Sequence, residues 1–192
     1  SDAIDFAGEK DYYSFTLEGD ARLYLDNLLE ENNRIFWSLE GPAGMEVARR
    51  YFTSSDENWN NPVLDLPAGH YLLTVDADLD SVGGYAFRML DFSDALALDP
   101  GTVVSESLDP GNETDLYAFA AEAGDAFYFD MQSYDSGFSA HWRLFDPYNN
   151  VLFFNWYGTD RDVITLTQPG TYVLAVEGQY NQPDIAGYSF NV

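Results

Sequence analysis

The sequence predicts an all-β protein: two tandem jelly-roll-like antiparallel β-sandwich units. Three observations predict it. Apolar residues alternate at period two, turn signals cut the chain every ten or so residues, and an internal repeat runs through nearly the whole chain. The repeat comes first in the argument because it sets the unit against which every other feature is read. Gly8-Glu9-Lys10-Asp11-Tyr12-Tyr13-Ser14-Phe15 answers to Gly111-Asn112-Glu113-Thr114-Asp115-Leu116-Tyr117-Ala118-Phe119, placing Asp11 over Asp115, Tyr13 over Tyr117 and Phe15 over Phe119. Gly19-Asp20-Ala21 matches Gly124-Asp125-Ala126, and Trp37-Ser38-Leu39 lies over Trp142-Arg143-Leu144. Pro67-Ala68-Gly69-His70-Tyr71 lies over Gln168-Pro169-Gly170-Thr171-Tyr172, and Gly84-Tyr85-Ala86-Phe87 over Gly187-Tyr188-Ser189-Phe190. The matches keep their order at an offset near 104, so two homologous units are expected at 1–92 and 93–192.

Within each unit the strands follow from side-chain parity. Tyr13/Phe15/Leu17, Leu23/Leu25, Tyr71/Leu73/Val75 and Tyr85/Phe87/Met89 alternate as a strand with one buried face does. Gly41-Pro42, Asp109-Pro110-Gly111 and Asp146-Pro147 punctuate them as turns, leaving about eight short strands per unit. The segment 25–32 is the one helical candidate, but its length and Asn32-Asn33 ending predict a single turn between strands. The second unit opens with a segment at 95–101 and a strand at 102–108. The first has only Ala3, Ile4 and Phe6 for that role and reads as N-terminally clipped, as a fragment of a longer chain would be.

Composition bounds the function. With 46% hydrophobic and 17% aromatic residues the chain has ample material for a core. A net charge of −25, from 33 acids against 8 bases, repels nucleic-acid phosphates and anionic membranes, and no stretch is apolar enough to span a bilayer. The chain has no cysteine, which removes disulfides, thiol catalysis and zinc-thiolate sites. Asp outnumbers Glu, 22 to 11, an excess that suits loop-rich β structure and oxygen ligands for calcium, and equally suits life in salty water.

The matched motifs resemble the bacterial pre-peptidase C-terminal domain. The resemblance rests on Gly-x-x-Asp-x-Tyr-x-Phe at 8–15 and its longer form at 111–119, the Gly-x-Tyr-x-Leu-x-Val strands starting at Gly69 and Gly170, and Gly-Tyr-x-Phe at Gly84 and Gly187. It implies a non-catalytic spacer or presentation module of a larger secreted or cell-surface bacterial protein such as an adhesin or exoenzyme. Neighbouring domains of the same parent chain would be its partners. Some members bind calcium, and some bind protein or carbohydrate.

Each candidate site carries two readings. His70 and His141 occupy different places in the two units and lie in no nucleophile or metal spacing, so no catalytic residue is expected. Asp76, Asp78 and Asp80 alternate after a strand and precede Gly83-Gly84. They read as calcium ligands or as a solvated hairpin loop, and the EF-hand spacing fails at Phe87. Asp11 and Asp115 recur just before a strand and are expected to fix a turn by accepting loop N–H groups. Asp160-Arg161-Asp162 is a second acidic loop in which Arg161 replaces a metal as counter-charge. Trp37 and Trp142 are expected in the cores. Trp59, Trp156 and Tyr157 read as a carbohydrate- or peptide-binding platform or as caps on the open end of the sandwich.

Overall fold

The computed structural model describes all residues except 55, 57–59, 138 and 183, and the backbone alone of Glu30. The chain divides into two compact units, Ser1–Ser93 and Asp94–Val192. The first contains β1 (Asp2–Ile4), β2 (Asp11–Leu17), β3 (Ala21–Glu30), β4 (Ile35–Gly41), β5 (Gly44–Tyr51), β6 (Leu64–Leu66), β7 (Gly69–Ala77) and β8 (Gly83–Asp91). The second contains β9 (Leu96–Ala97), β10 (Val104–Leu108), β11 (Thr114–Ala121), β12 (Ala126–Tyr134), β13 (Ala140–Phe145), β14 (Val151–Trp156), β15 (Arg161–Thr165), β16 (Gly170–Gly178) and β17 (Ala186–Asn191). No helix among the described residues is long and apolar enough to cross a membrane.

Each unit is a jelly roll of two four-stranded antiparallel sheets. The orders are β1-β8-β3-β6 and β2-β7-β4-β5 in the first unit, and β10-β17-β12-β15 and β11-β16-β13-β14 in the second. The short β9 adds in parallel to the edge of β11. The two units therefore share strand order as well as sequence motif, with β1 pairing β8 as β10 pairs β17.

The cores follow from the alternation. Leu23, Leu25, Trp37, Leu39, Tyr71, Leu73, Val75 and Tyr85 fill the first, and Trp142, Leu144, Tyr172, Leu174, Val176, Tyr188 and Phe190 fill the second. Burial of each large aliphatic side chain contributes about 1.5–3 kcal/mol. Trp37 and Trp142 are both fully buried in these cores. The segment 25–32, expected as a turn, is instead strand as far as Glu30. A bulge between Asn27 and Leu29 shifts the pairing with β8, while Leu25 stays in the core and buried Asp26 pairs with Arg88 Nε at 2.7 Å.

Side-chain bonds repeat with the strands. Tyr71 donates to Pro67 O and Tyr172 to Gln168 O, both at 2.7 Å, locking the turn that leads into β7 and β16. Gly69 and Gly170 start those strands against a proline. A Cβ at Gly69 would lie 2.6 Å from Pro42 Cγ, and one at Gly170 2.8 Å from Pro147 Cγ.

Candidate functional site

Asp11 and Asp115 each bond across the sandwich to a tyrosine of the other sheet. Asp11 leaves β2 toward the other sheet, where the Tyr85 hydroxyl of β8 donates to its Oδ2 at 2.6 Å. The Tyr85 hydroxyl also pairs with that of Tyr13 at 2.6 Å, and Tyr13 in turn reaches Asp2 Oδ2 at 3.0 Å. The second unit repeats the relay: Tyr188 donates to Asp115 at 2.6 Å and pairs with Tyr117 at 2.6 Å. A long tyrosine reaching across the sandwich finds its acceptor there, whereas the local turn is held by glutamates two residues earlier. Glu9 accepts from the Phe6 N–H, and Glu113 accepts from the Asp109 N–H. Burial pushes the Tyr85 and Tyr188 hydroxyls well above the ordinary tyrosine range, and the neighbouring carboxylate adds to the effect in each.

The acidic loop after β7 does not assemble a calcium site from Asp76, Asp78 and Asp80. Asp76 binds Lys10 Nζ at 2.8 Å, and Asp78 accepts from both the Arg49 guanidinium and the Tyr51 hydroxyl. Each carboxylate is thus turned to its own partner. Asp80 follows Leu79 through a left-handed turn, with φ of 57° and 54° respectively. Among the described residues no three metal-ligating side chains gather. The Tyr51 hydrogen bond, reinforced by Arg49, holds the Asp78 carboxyl below its ordinary value. In the second acidic loop, Asp160 accepts from the Tyr128 hydroxyl at 2.7 Å and from the Met131 N–H at 3.0 Å.

The three aromatic candidates separate. Trp59 lies outside the described residues. Tyr157 is buried in the second core, 5.3 Å from the Trp142 ring and 5.6 Å from that of Tyr188, so it does not line a ligand platform. Its place after the end of β14 turns it inward as the chain bends away. Trp156 is 55% exposed. It stands opposite His141 in the β13–β14 register, with ring centroids 4.1 Å apart, and His141 also stacks on Phe154 at 4.4 Å.

The stack extends farther than sequence reasoning reached. The Arg143 guanidinium lies 4.3 Å from the Phe154 centroid, and its Nε donates to Glu177 Oε2 at 3.0 Å, both side chains being fully buried. His141, Arg143, Phe154 and Trp156 alternate with the core residues Trp142 and Phe153, so strand parity was the signal available for them. A shallow groove of about 330 Å³ runs along this face, lined by His141, Phe154, Asn155, Trp156 and Thr159.

The first unit builds a different cluster at the equivalent place. The register sets Phe36 opposite Tyr51 on β4 and β5, as His141 stands opposite Trp156, and Arg49 occupies the position of Phe154. The Arg49 guanidinium lies 4.1 Å from the Phe36 centroid and 5.0 Å from that of Tyr51, and it donates to the Tyr51 hydroxyl at 2.6 Å. With Asp78 as its counter-ion, this cation fills the aromatic pair.

No protein-family model and no curated protein matches the chain. Among solved structures, similarity is found to the CUB1-EGF-CUB2 domain of human MASP-1/3, at 12% identity and a TM-score of 0.31, covering 98% of this chain and 96% of that one. It is also found to the secreted serine protease VesC from Vibrio cholerae, at 10% identity and a TM-score of 0.34. That match covers 98% of this chain and 47% of the protease, so the chain spans about half of its length. Likeness at this level says nothing of activity or partner.

Proposed function

We propose that the chain is a non-catalytic tandem β-sandwich module of a larger secreted or cell-surface bacterial protein, resembling pre-peptidase C-terminal domains and serving as a spacer or presentation element. The recurrence of the Asp–Tyr–Tyr relay in both units carries the reading. The most distinctive polar motif of the repeat is spent on joining one sheet to the other, where hydroxyl and carboxylate partners satisfy one another, rather than on a reactive centre. The strongly acidic surface supports extracellular or saline surroundings, where self-repulsion is screened. Pulling the chain from its two ends in a force spectrometer tests this. A spacer gives two unfolding events at comparable force, and extension without a resisting event sinks the proposal.

A second reading, a ligand-binding module, is favoured by one observation: Trp156 is half exposed beside an open groove that also offers the polar side chains of Asn155 and Thr159. Perturbation of the Trp156 indole by a bound carbohydrate or peptide is the measurement that decides it.

A further inference from the structure

We infer that the Trp156 groove of the second unit receives an arginine side chain from a basic peptide segment of a partner protein. This rests on the ligand-binding reading of that groove and names its ligand. The argument begins in the first unit, where the repeat-equivalent aromatic pair, Phe36 and Tyr51, already holds a guanidinium, that of Arg49. In the second unit Phe154 stands in the place of Arg49 and Trp156 in that of Tyr51; the platform's own cation, Arg143, lies over Phe154 at the inner end, and the outer end gains the aromatic ring that attracts cations best. The stack shows the same preference internally, since the Arg143 guanidinium covers the inner part of Phe154. At the outer end Trp156 remains exposed, and Asn155 and Thr159 line the groove with polar side chains.

Charge selects among possible occupants. A chain carrying −25 draws cationic segments toward its surface and repels anionic ones, while a neutral sugar gains nothing from the field. Among cations, arginine is preferred over lysine because its planar, weakly hydrated guanidinium stacks on an indole face.

The test is an NMR titration of the intact chain with the blocked tripeptide Gly-Arg-Gly and its lysine and citrulline counterparts, at physiological salt, where the Debye length is about 8 Å. The Trp156 indole signal is assigned by its loss in Trp156→Phe. The arginine peptide is expected to shift that signal saturably, the lysine peptide to bind about threefold or more weakly, and neutral citrulline to leave it unmoved. Trp156→Ala abolishes the site. Arg49→Ala vacates the equivalent place in the first unit, so the arginine peptide then also shifts the Tyr51 ring signals, which stay silent in the parent chain. Equal response to lysine and arginine, or shifts spread over the acidic surface that survive Trp156→Ala, overturns the inference. A Trp156 shift with neutral oligosaccharides and none with arginine overturns the arginine assignment while upholding the ligand platform, and silence toward both overturns the platform as well.

Discussion

Tyr85 and Asp11 face each other from opposite sheets of the first unit, joined by a hydrogen bond of 2.6 Å, and Tyr188 and Asp115 repeat the arrangement in the second. Removing the hydroxyl in Tyr85→Phe strips Asp11 of this donor and breaks the pair with Tyr13, which keeps Asp2 as a partner. The expected cost is about 0.5–1.5 kcal/mol, the usual net worth of an intramolecular hydrogen bond, because Asp11 is only partly buried. A double-mutant cycle with Asp11→Ala, read by urea unfolding with NMR signals from each unit, should give a coupling of at least about 0.5 kcal/mol. Strict additivity would mean that the bond contributes nothing to joining the sheets.

The same tyrosines make the fold sensitive to alkali. Burial raises the hydroxyls of Tyr117, Tyr157 and Tyr188 above their ordinary value of 10.0. A raised folded pKa means that the protonated form is favoured in the native state, so the stabilisation is fully present below pH 10 and is lost as pH rises beyond it. Each such group steepens the loss by about 1.4 kcal/mol per pH unit. A spectrophotometric titration should therefore show a buried class of tyrosines that ionises only together with unfolding. One smooth titration of all tyrosines with the fold intact would contradict this.

The jelly-roll class was legible because buried strands announce themselves by parity, and because two copies of one pattern remove most of the ambiguity of either. Trp37 and Trp142 could be placed in the cores for that reason. The partners of Asp11 were not legible. Tyr85 lies more than seventy residues away, and only the two-sheet topology brings β2 and β8 together. The partners of the acidic loop were hidden for a related reason: Asp76 and Asp78 alternate as metal ligands do, but Lys10, just before β2, and Arg49 of β5 come to them from distant parts of the chain. Tyr157 was read together with Trp156, as a platform or as a cap, because the two adjoin in sequence, yet consecutive residues at a strand end point to opposite sides.

Glycine at the start of β16 is required by a close contact. Gly170→Ala would drive its Cβ to 2.8 Å from Pro147 Cγ while holding φ at 141°, a value that side-chain-bearing residues rarely adopt. The expected loss is about 1–3 kcal/mol, a strained backbone position and a steric clash acting together. Adding Pro147→Ala should relieve only the contact with Cγ, since the Cβ at 3.0 Å and the backbone angle remain, leaving the variant less stable than Pro147→Ala alone. Full recovery in thermal melts would show that the backbone angle carries no cost.

The pairing of Asp78 with Arg49 and Tyr51 predicts how the acidic loop responds to acid and to metal. Because the hydrogen bond from Tyr51, with Arg49 beside it, lowers the folded pKa of Asp78 below 3.8, its contribution is present above that value and disappears as pH falls through the lower folded value. The group lies at the surface, where solvent screens the pair, so Asp78→Asn is expected to cost little and to remove only that portion of the acid sensitivity. Calcium would have to displace Arg49 from Asp78 and Lys10 from Asp76 before gathering Asp80. Thermal melts in calcium and in chelator at matched ionic strength should therefore coincide, for the parent chain and for Asp78→Asn alike. A calcium-dependent rise in melting temperature that Asp78→Asn abolishes would show that the loop rearranges around the ion and that the pairs with Lys10 and Arg49 are the weaker interactions.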